Sequence, residues 1–273
     1  MAFSVIVPVH DEASLLPETV PRLLAGLPPE TELVFVCNGC SDASPALIRA
    51  LAGDRARLLV LPHPGKTAAM RAGEAVRSAF PVFYLDADVW VDGATVAALA
   101  ATLDREGLEL VSPRLVADTR GAGRLARGVT EVWTALPHMR VAGFHNLLGL
   151  SRAGRARFGA IPDVRADDDY MAAHVPSAAR RVVGDCTAVI RPPRSLASWV
   201  RVRARWASSQ RELRTLGAMP PTTPGQLRAL WSLAVAGRGL DVAAYAAVRG
   251  LAPLLAWRER RGWYRDDSSR IAP

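Results

Sequence analysis

Short apolar runs alternate with longer amphipathic stretches through the first third of the chain. Residues 3–9, 32–36, 57–61 and 81–86 are β-branched or aromatic-rich and strand-length, and they predict four strands. Between them, residues 13–26, 43–52 and 65–79 carry helical periodicity, with Pro17 and Pro21 placed near a helix start or bend. Strand, helix, strand at this spacing means βαβ units and a mostly parallel, Rossmann-like sheet with helices on both faces. Further on, residues 108–111 and 181–190 read as strands and 121–138 as a basic, partly helical stretch. Residues 144–151 are apolar and contain glycine, which suits a segment lining a pocket.

In an open parallel sheet, ligands sit beyond the carboxyl ends of the strands. Polar clusters follow each of the four predicted strands: His10 to Glu12, Asn38 to Asp42, Lys66, and Asp86-Ala87-Asp88. The topology therefore brings them to one edge. Alternate residues of a strand point the same way, so Asp86 and Asp88 are expected to project together. Two carboxylates there repel unless a positive charge sits between them, and a divalent cation sharing a diphosphate answers that need. Farther along, Asp167-Asp168-Asp169 open a predicted helix. Plain capping accounts for acids at a helix start, but adjacent like charges also raise one pKa and leave a proton acceptor.

Composition narrows the picture. A chain of 273 residues holds one large α/β domain with an appendage, or two small domains. The net charge of +8 comes almost wholly from arginine, since Lys66 is the single lysine. Such an excess suits phosphate-bearing partners: a nucleotide, an anionic lipid surface or nucleic acid. Three cysteines do not make a disulfide framework, which favours a reducing, cytoplasmic setting. The chain runs from Met1 straight into a strand-like segment, and no signal peptide is expected.

Three sharper motifs fail. Gly65-Lys66-Thr67 ends like a P-loop, but Val60 stands where that loop needs glycine. Cys37 and Cys40, with Cys186 far away, have poor zinc spacing. No glycine-rich dinucleotide fingerprint follows the first strand.

Taken together, the surviving motifs resemble the inverting, family 2 type nucleotide-sugar glycosyltransferases of the GT-A fold, over residues 3–215. The residues Val5-Ile6-Val7-Pro8-Val9-His10-Asp11-Glu12 resemble the family's opening strand. Asn38-Gly39-Cys40-Ser41-Asp42 is similar to its second-strand turn, although Cys37 and Asn38 replace the usual two acids. Gly65-Lys66-x-x-Ala69-x-x-x-Gly73 resembles its third-strand helix start, and Asp86-Ala87-Asp88 its metal-binding D-x-D. The resemblance implies a nucleoside-diphosphate sugar donor, UDP-linked in the favoured reading, and Mn²⁺ or Mg²⁺ held by Asp86 and Asp88. It also implies an acceptor with a free hydroxyl. Donor contacts implied are Pro8, His10, Glu12, Asn38, Asp42, Lys66, Asp86, Ala87 and Asp88. Asp168 would be the general base, with Asp167 the runner-up. Arg205-Trp206 is similar to the end of the family's Q-x-x-R-W motif, with Val202 at the glutamine position; Arg203, Arg205 and Trp206 are counted with the donor site. His174 is read as a structural histidine rather than a third metal ligand. A sugar nucleotidyltransferase, and an arginine-driven binder of acidic membrane or nucleic acid, are the competing classes, with nucleic acid the less favoured partner.

The boundary of the catalytic domain is placed at 219/220, with a linker over 220–225 and a C-terminal amphipathic helical extension to 273. Residues 227–257 are apolar and alanine-rich. Charges inside that run cost about 2.5–3.5 kcal/mol each at mid-bilayer, which argues against a membrane span. Arg238, Asp241, Tyr245 and Arg249 fall on one helical stripe, so the alanine and leucine faces are expected to pack. Packing on the catalytic domain or a second subunit is preferred to a peripheral contact at the inner face of a membrane.

Overall fold

The structure is a computed structural model, and it describes residues 2–141, 146–219 and 223–258, the last four of these for their backbone alone. Two compact units are present: Met1–Leu115 with Ala142–Val189, and Val116–Val141 with Ile190–Pro273.

The first unit is organised by a seven-stranded sheet. Its strands are β1 (Ser4–Val9), β2 (Glu32–Asn38), β3 (Arg57–Leu61), β4 (Val82–Leu85), β5 (Leu110–Ala117), β6 (Leu147–Leu150) and β7 (Arg180–Ile190), in the order β3-β2-β1-β4-β6-β5-β7. The first four pair in parallel, and β6 runs antiparallel between β4 and β5. Helices α1 (Leu16–Leu24), α2 (Ser44–Ala52), α3 (Lys66–Val76) and α4 (Gly93–Arg105) are the crossovers. This is the GT-A architecture that the sequence suggested.

Local chemistry sets the element boundaries. Helix α1 begins at Leu16 rather than near Ala13, because Asp11 adopts a left-handed φ of 51° and the amides of Leu15 and Leu16 both bond to the Glu12 carbonyl. That turn keeps residues 10–12 at the strand end. Helix α3 lies close over β1: a Cβ on Gly73 would stand 2.5 Å from Ile6 Cγ2, and Ala69 is fully buried. The small residues of the Gly65 to Gly73 motif thus seat the helix on the sheet. Around this contact Ile6, Val34, Val36, Met70, Tyr84, Leu148 and Met171 form the core.

The expected pocket segment is corrected. Residues 147–150 form the buried strand β6, paired on both sides, while Phe144 and His145 fall outside the described residues.

The second unit contains α5 (Arg124–Ala135), α8 (Leu196–Thr215), α9 (Gln226–Leu233) and α10 (Gly239–Arg258), the last two joined through a kink at Gly237 (φ 86°). Trp133, Trp199 and Trp206 meet with ring centroids 5.6–6.1 Å apart. Helix α10 approaches α8 through small residues, Ala204 and Ala252 with Ala207 beside them. Toward α5, Gly128 leaves the space that Asp241 fills, since a Cβ there would lie 2.1 Å from Asp241 Oδ1. Tyr245, Val248 and Ala252 are buried. The expected packing is therefore half corrected: Tyr245, Val248 and Ala252 pack together with Asp241, while Ala243, Ala246 and Ala247 are exposed along with Leu240, Leu251 and Leu254.

Candidate active site

Strand β4 ends at Leu85, and Ala87 and Asp88 form a turn in which the Val89 amide bonds to the Asp86 carbonyl. The two acids are thus set by a turn and not by strand alternation, because the chain leaves the sheet one residue earlier than the apolar run implied. Asp86 is held on both carboxylate oxygens. Its Oδ1 lies 2.7 Å from Lys66 Nζ, and its Oδ2 accepts from the Asn146 side-chain amide at 2.9 Å. Asn146 also ties its backbone carbonyl to the Asp86 amide. Nothing in the sequence pattern singled out Asn146; the antiparallel pairing of β6 with β4 brings it there.

Lys66 is the hub. As the first residue of α3, it reaches Asp86 and also Asp167 Oδ1, 3.1 Å away. Loss of water works against its charge, but Asp167, Asp86 and Asp168 together hold the ammonium charged well above the usual lysine range. A positive group beside Asp86 is therefore supplied within the chain itself.

The acid triplet opens helix α7 (Asp167–Ala173), whose Met171 and Ala172 are buried in the core. Asp167 is buried, which pushes its carboxyl upward against the pull of Lys66. Asp168 is half-buried; loss of water and the adjacent Asp167 push it up to about 7, against the pull of Lys66. A carboxyl poised there accepts a proton near neutral pH. Thr67 on α3 donates to Asp163 at 3.0 Å, and Arg71 donates to the Ile161 carbonyl, so the loop before α7 is tied to the same helix that carries Lys66. His174 donates through Nδ1 to the Tyr170 carbonyl at 2.8 Å and lies on the Tyr170 ring, a structural arrangement.

At the ends of β1 and β2, much of the polar chemistry shapes the loop. The Asn38 side-chain amide donates to the Val9 carbonyl at 2.8 Å, and its oxygen accepts from the Gly65 amide at 2.9 Å. Gly39, at φ +60°, stands so close to Pro64 that a Cβ would fall 2.5 Å from its nitrogen. Together these place the start of α3, and so Lys66, against the β2 turn. Burial works against the Asp42 carboxylate, yet hydrogen bonds from Ser44 and from the Ala13 amide hold it below the usual range. His10 Nδ1 donates to the Asn38 carbonyl at 2.7 Å, which leaves Nε2 on the far side, 3.9 Å from Asp11 Oδ2. Glu12 is buried, and its amide donates to Ser44 Oγ.

The sequence model of glycosyl transferase family 2 matches residues 4–158, more than half of the chain and the whole frame from β1 through the acids after β4. The chain belongs to that family. As a family 2 glycosyltransferase it shares its fold with solved structures of low identity. The mannosyltransferase PcManGT from Pyrobaculum calidifontis, solved with GDP-Man and Mn²⁺, aligns at TM-score 0.62 and 22% identity, over 94% of this chain and 79% of that one. TarS 1–349 of S. aureus, solved with UDP-GlcNAc, aligns at 0.55 and 14%, over 97% and 93%. Glucosyl-3-phosphoglycerate synthase from Mycobacterium tuberculosis, solved with phosphoglyceric acid, aligns at 0.54 and 19%, over 81% of each chain. No curated protein matches the chain.

The glycosyltransferase carries its remaining candidates elsewhere. Arg203, Arg205 and Trp206 lie on α8 of the second unit. There the Arg203 guanidinium stacks 5.1 Å above the Trp206 ring, and burial and Arg249 lower its pKa. Cys37 is buried, its thiol pushed up to about 12 by burial and by Cys40. Among the described residues, His10, Asp11 and Cys40 bring one ligand atom each within 4.8 Å of one another. The donor set at Asp86 and Asp88 is different in kind. It is all carboxylate, with Asp86 braced and Asp88 half-exposed, and it fits a hard cation that takes one or two protein oxygens and completes its shell from phosphates and water.

Proposed function

We propose that this glycosyltransferase is inverting and metal-dependent, and moves a sugar from a nucleoside-diphosphate sugar to an acceptor hydroxyl. The observation that carries the reading is the Lys66 bridge, which gathers Asp86 after β4 and Asp167 of the acid pair on one sheet edge, beside a carboxyl poised near neutrality. Solved proteins of the same fold hold GDP-Man with Mn²⁺ and UDP-GlcNAc, which supports a nucleotide-sugar donor and a divalent cation.

In this reading the nucleoside lies across the ends of β1 and β2. Asn38 and Asp42 shape that pocket through the backbone they bind, Pro8 and Glu12 line it, and His10 Nε2 reaches the ribose. A UDP-sugar is the favoured donor. Asp88 and Asp86, with Ala87 between them, would hold Mn²⁺ or Mg²⁺, which when bound offsets charge on the diphosphate. Asp168 takes the proton of the acceptor hydroxyl. The acceptor oxygen bonds to the anomeric carbon as the bond to the diphosphate breaks on the opposite face, so configuration inverts. Proton NMR of the product's anomeric centre, with Asp168→Asn as control, tests this. An inverted linkage lost in the variant supports the reading, and a retained linkage or an active variant overturns it.

A further inference from the structure

The second unit turns an unusual surface outward. Leu227, Trp231 and Val235 recur at four-residue spacing along α9 and its kink, and are 83%, 71% and 67% exposed. Leu240, Leu251 and Leu254 continue along α10 at 68%, 50% and 67%. Among the described residues the other exposed large apolar side chains, Val60, Val116, Leu125, Leu216 and Met219, are scattered, whereas these six fall on two consecutive helices. Exposed apolar side chains recurring on one stripe of a helix suit a contact. Among the described residues no helix is long and apolar enough to cross a membrane, so the face is suited to lying on a surface rather than spanning one.

Charge decides what the face meets. From Gln226 to Leu254 the acid is Asp241 alone, and Arg238 pairs with it at 2.8 Å. Arg228 is exposed beside Leu227 on α9, while Arg249 lies on the Tyr245 side of α10. A second copy would bring one +8 chain against another, whereas an anionic bilayer accepts the leucines and tryptophan, neutralises Arg228 beside them and attracts the basic chain as a whole. We propose that the α9–α10 face seats this protein on acidic phospholipid. The proposal is independent of the reaction assigned above.

Flotation of the full chain with vesicles tests it, using phosphatidylcholine alone and an equal mixture with phosphatidylglycerol. Binding is expected to be about tenfold greater on the anionic vesicles. Leu227→Glu and Trp231→Glu, each at an exposed position, should each reduce it about tenfold at unchanged melting temperature. Val60→Glu, an equal charge change at an exposed position of β3, should not. Overturning results are no flotation, flotation indifferent to Leu227→Glu and Trp231→Glu, or equal loss in Val60→Glu. A lipid-free dimer that Leu227→Glu splits would instead assign the face to a second copy, and also overturns the proposal.

Discussion

Lys66 Nζ lies 3.1 Å from Asp167 Oδ1 and thereby joins the first turn of α3 to the acid pair that opens α7. The same ammonium is 2.7 Å from Asp86. One cation on α3 thus holds together carboxylates that come from two other parts of the chain, after β4 and at the start of α7. Their mutual repulsion is offset before any ligand arrives, and the residues proposed to bind a donor are tied to those proposed to carry the chemistry.

Replacing Asp168 by asparagine keeps the shape of α7 and removes the proposed proton acceptor. Transfer should fall about 10²–10⁴-fold, while donor affinity measured by calorimetry stays within about twofold of wild type. Loss of donor binding in parallel with rate would show that Asp168 holds the donor instead.

The raised Asp168 pKa fixes a pH dependence. The carboxylate is the active form, so kcat/KM should rise through about pH 7 with a slope of one. The same shift has the opposite sign for stability: the folded chain holds this proton more tightly than the unfolded chain, so stability is lost as pH climbs from about 4 toward 7. Asp168→Asn should therefore melt higher than wild type at pH 8, by roughly 1–2 kcal/mol after allowance for solvent. That gain should vanish near pH 4.

Lys66→Met removes the shared countercharge. The Lys66 side chain is 41% exposed, so water screens part of the loss, and a destabilisation of about 1–3 kcal/mol is expected by thermal melting. The rising limb of the pH profile should move upward, because Asp168 loses a charge that favours its ionised form. An unmoved limb would separate Lys66 from the acid pair.

Metal and donor should act together at the β4 acids. UDP-sugars, GDP-sugars and dTDP-sugars are each expected to raise the melting temperature more with Mn²⁺ than without it. Asp88→Ala should abolish the metal-dependent increment and leave the ligand-free melting temperature nearly unchanged, since Asp88 is half-exposed. A full increment in the variant would remove Asp88 from the metal site.

Gly39→Ala tests the brace between β2 and α3. The added methyl is strained at φ +60° and meets Pro64 at 2.5 Å. A loss of about 1–3 kcal/mol in stability is expected, with KM for the donor raised because the start of α3 must shift. Activity unchanged at full stability would show that the turn yields freely.

The sequence by itself determined the parallel half of the sheet and the polar clusters that follow its strands, Lys66 and Asp86 among them. Each of these is a local property: strand-length apolar runs, helical periodicity, and polar clusters that follow them in order. It did not reveal that Asn146 holds Asp86, that Asn38 is spent on Val9 and Gly65, or that Lys66 bridges Asp86 to Asp167. Those partners lie tens of residues apart, and only strand pairing and the seating of α3 on β1 bring them within hydrogen-bond reach. The C-terminal helices show the same limit. Periodicity identified a polar stripe, but which face packs was decided by Gly128 making room for Asp241 and by Ala204 meeting Ala252, and complementarity of shape between two helices is not written in either one alone.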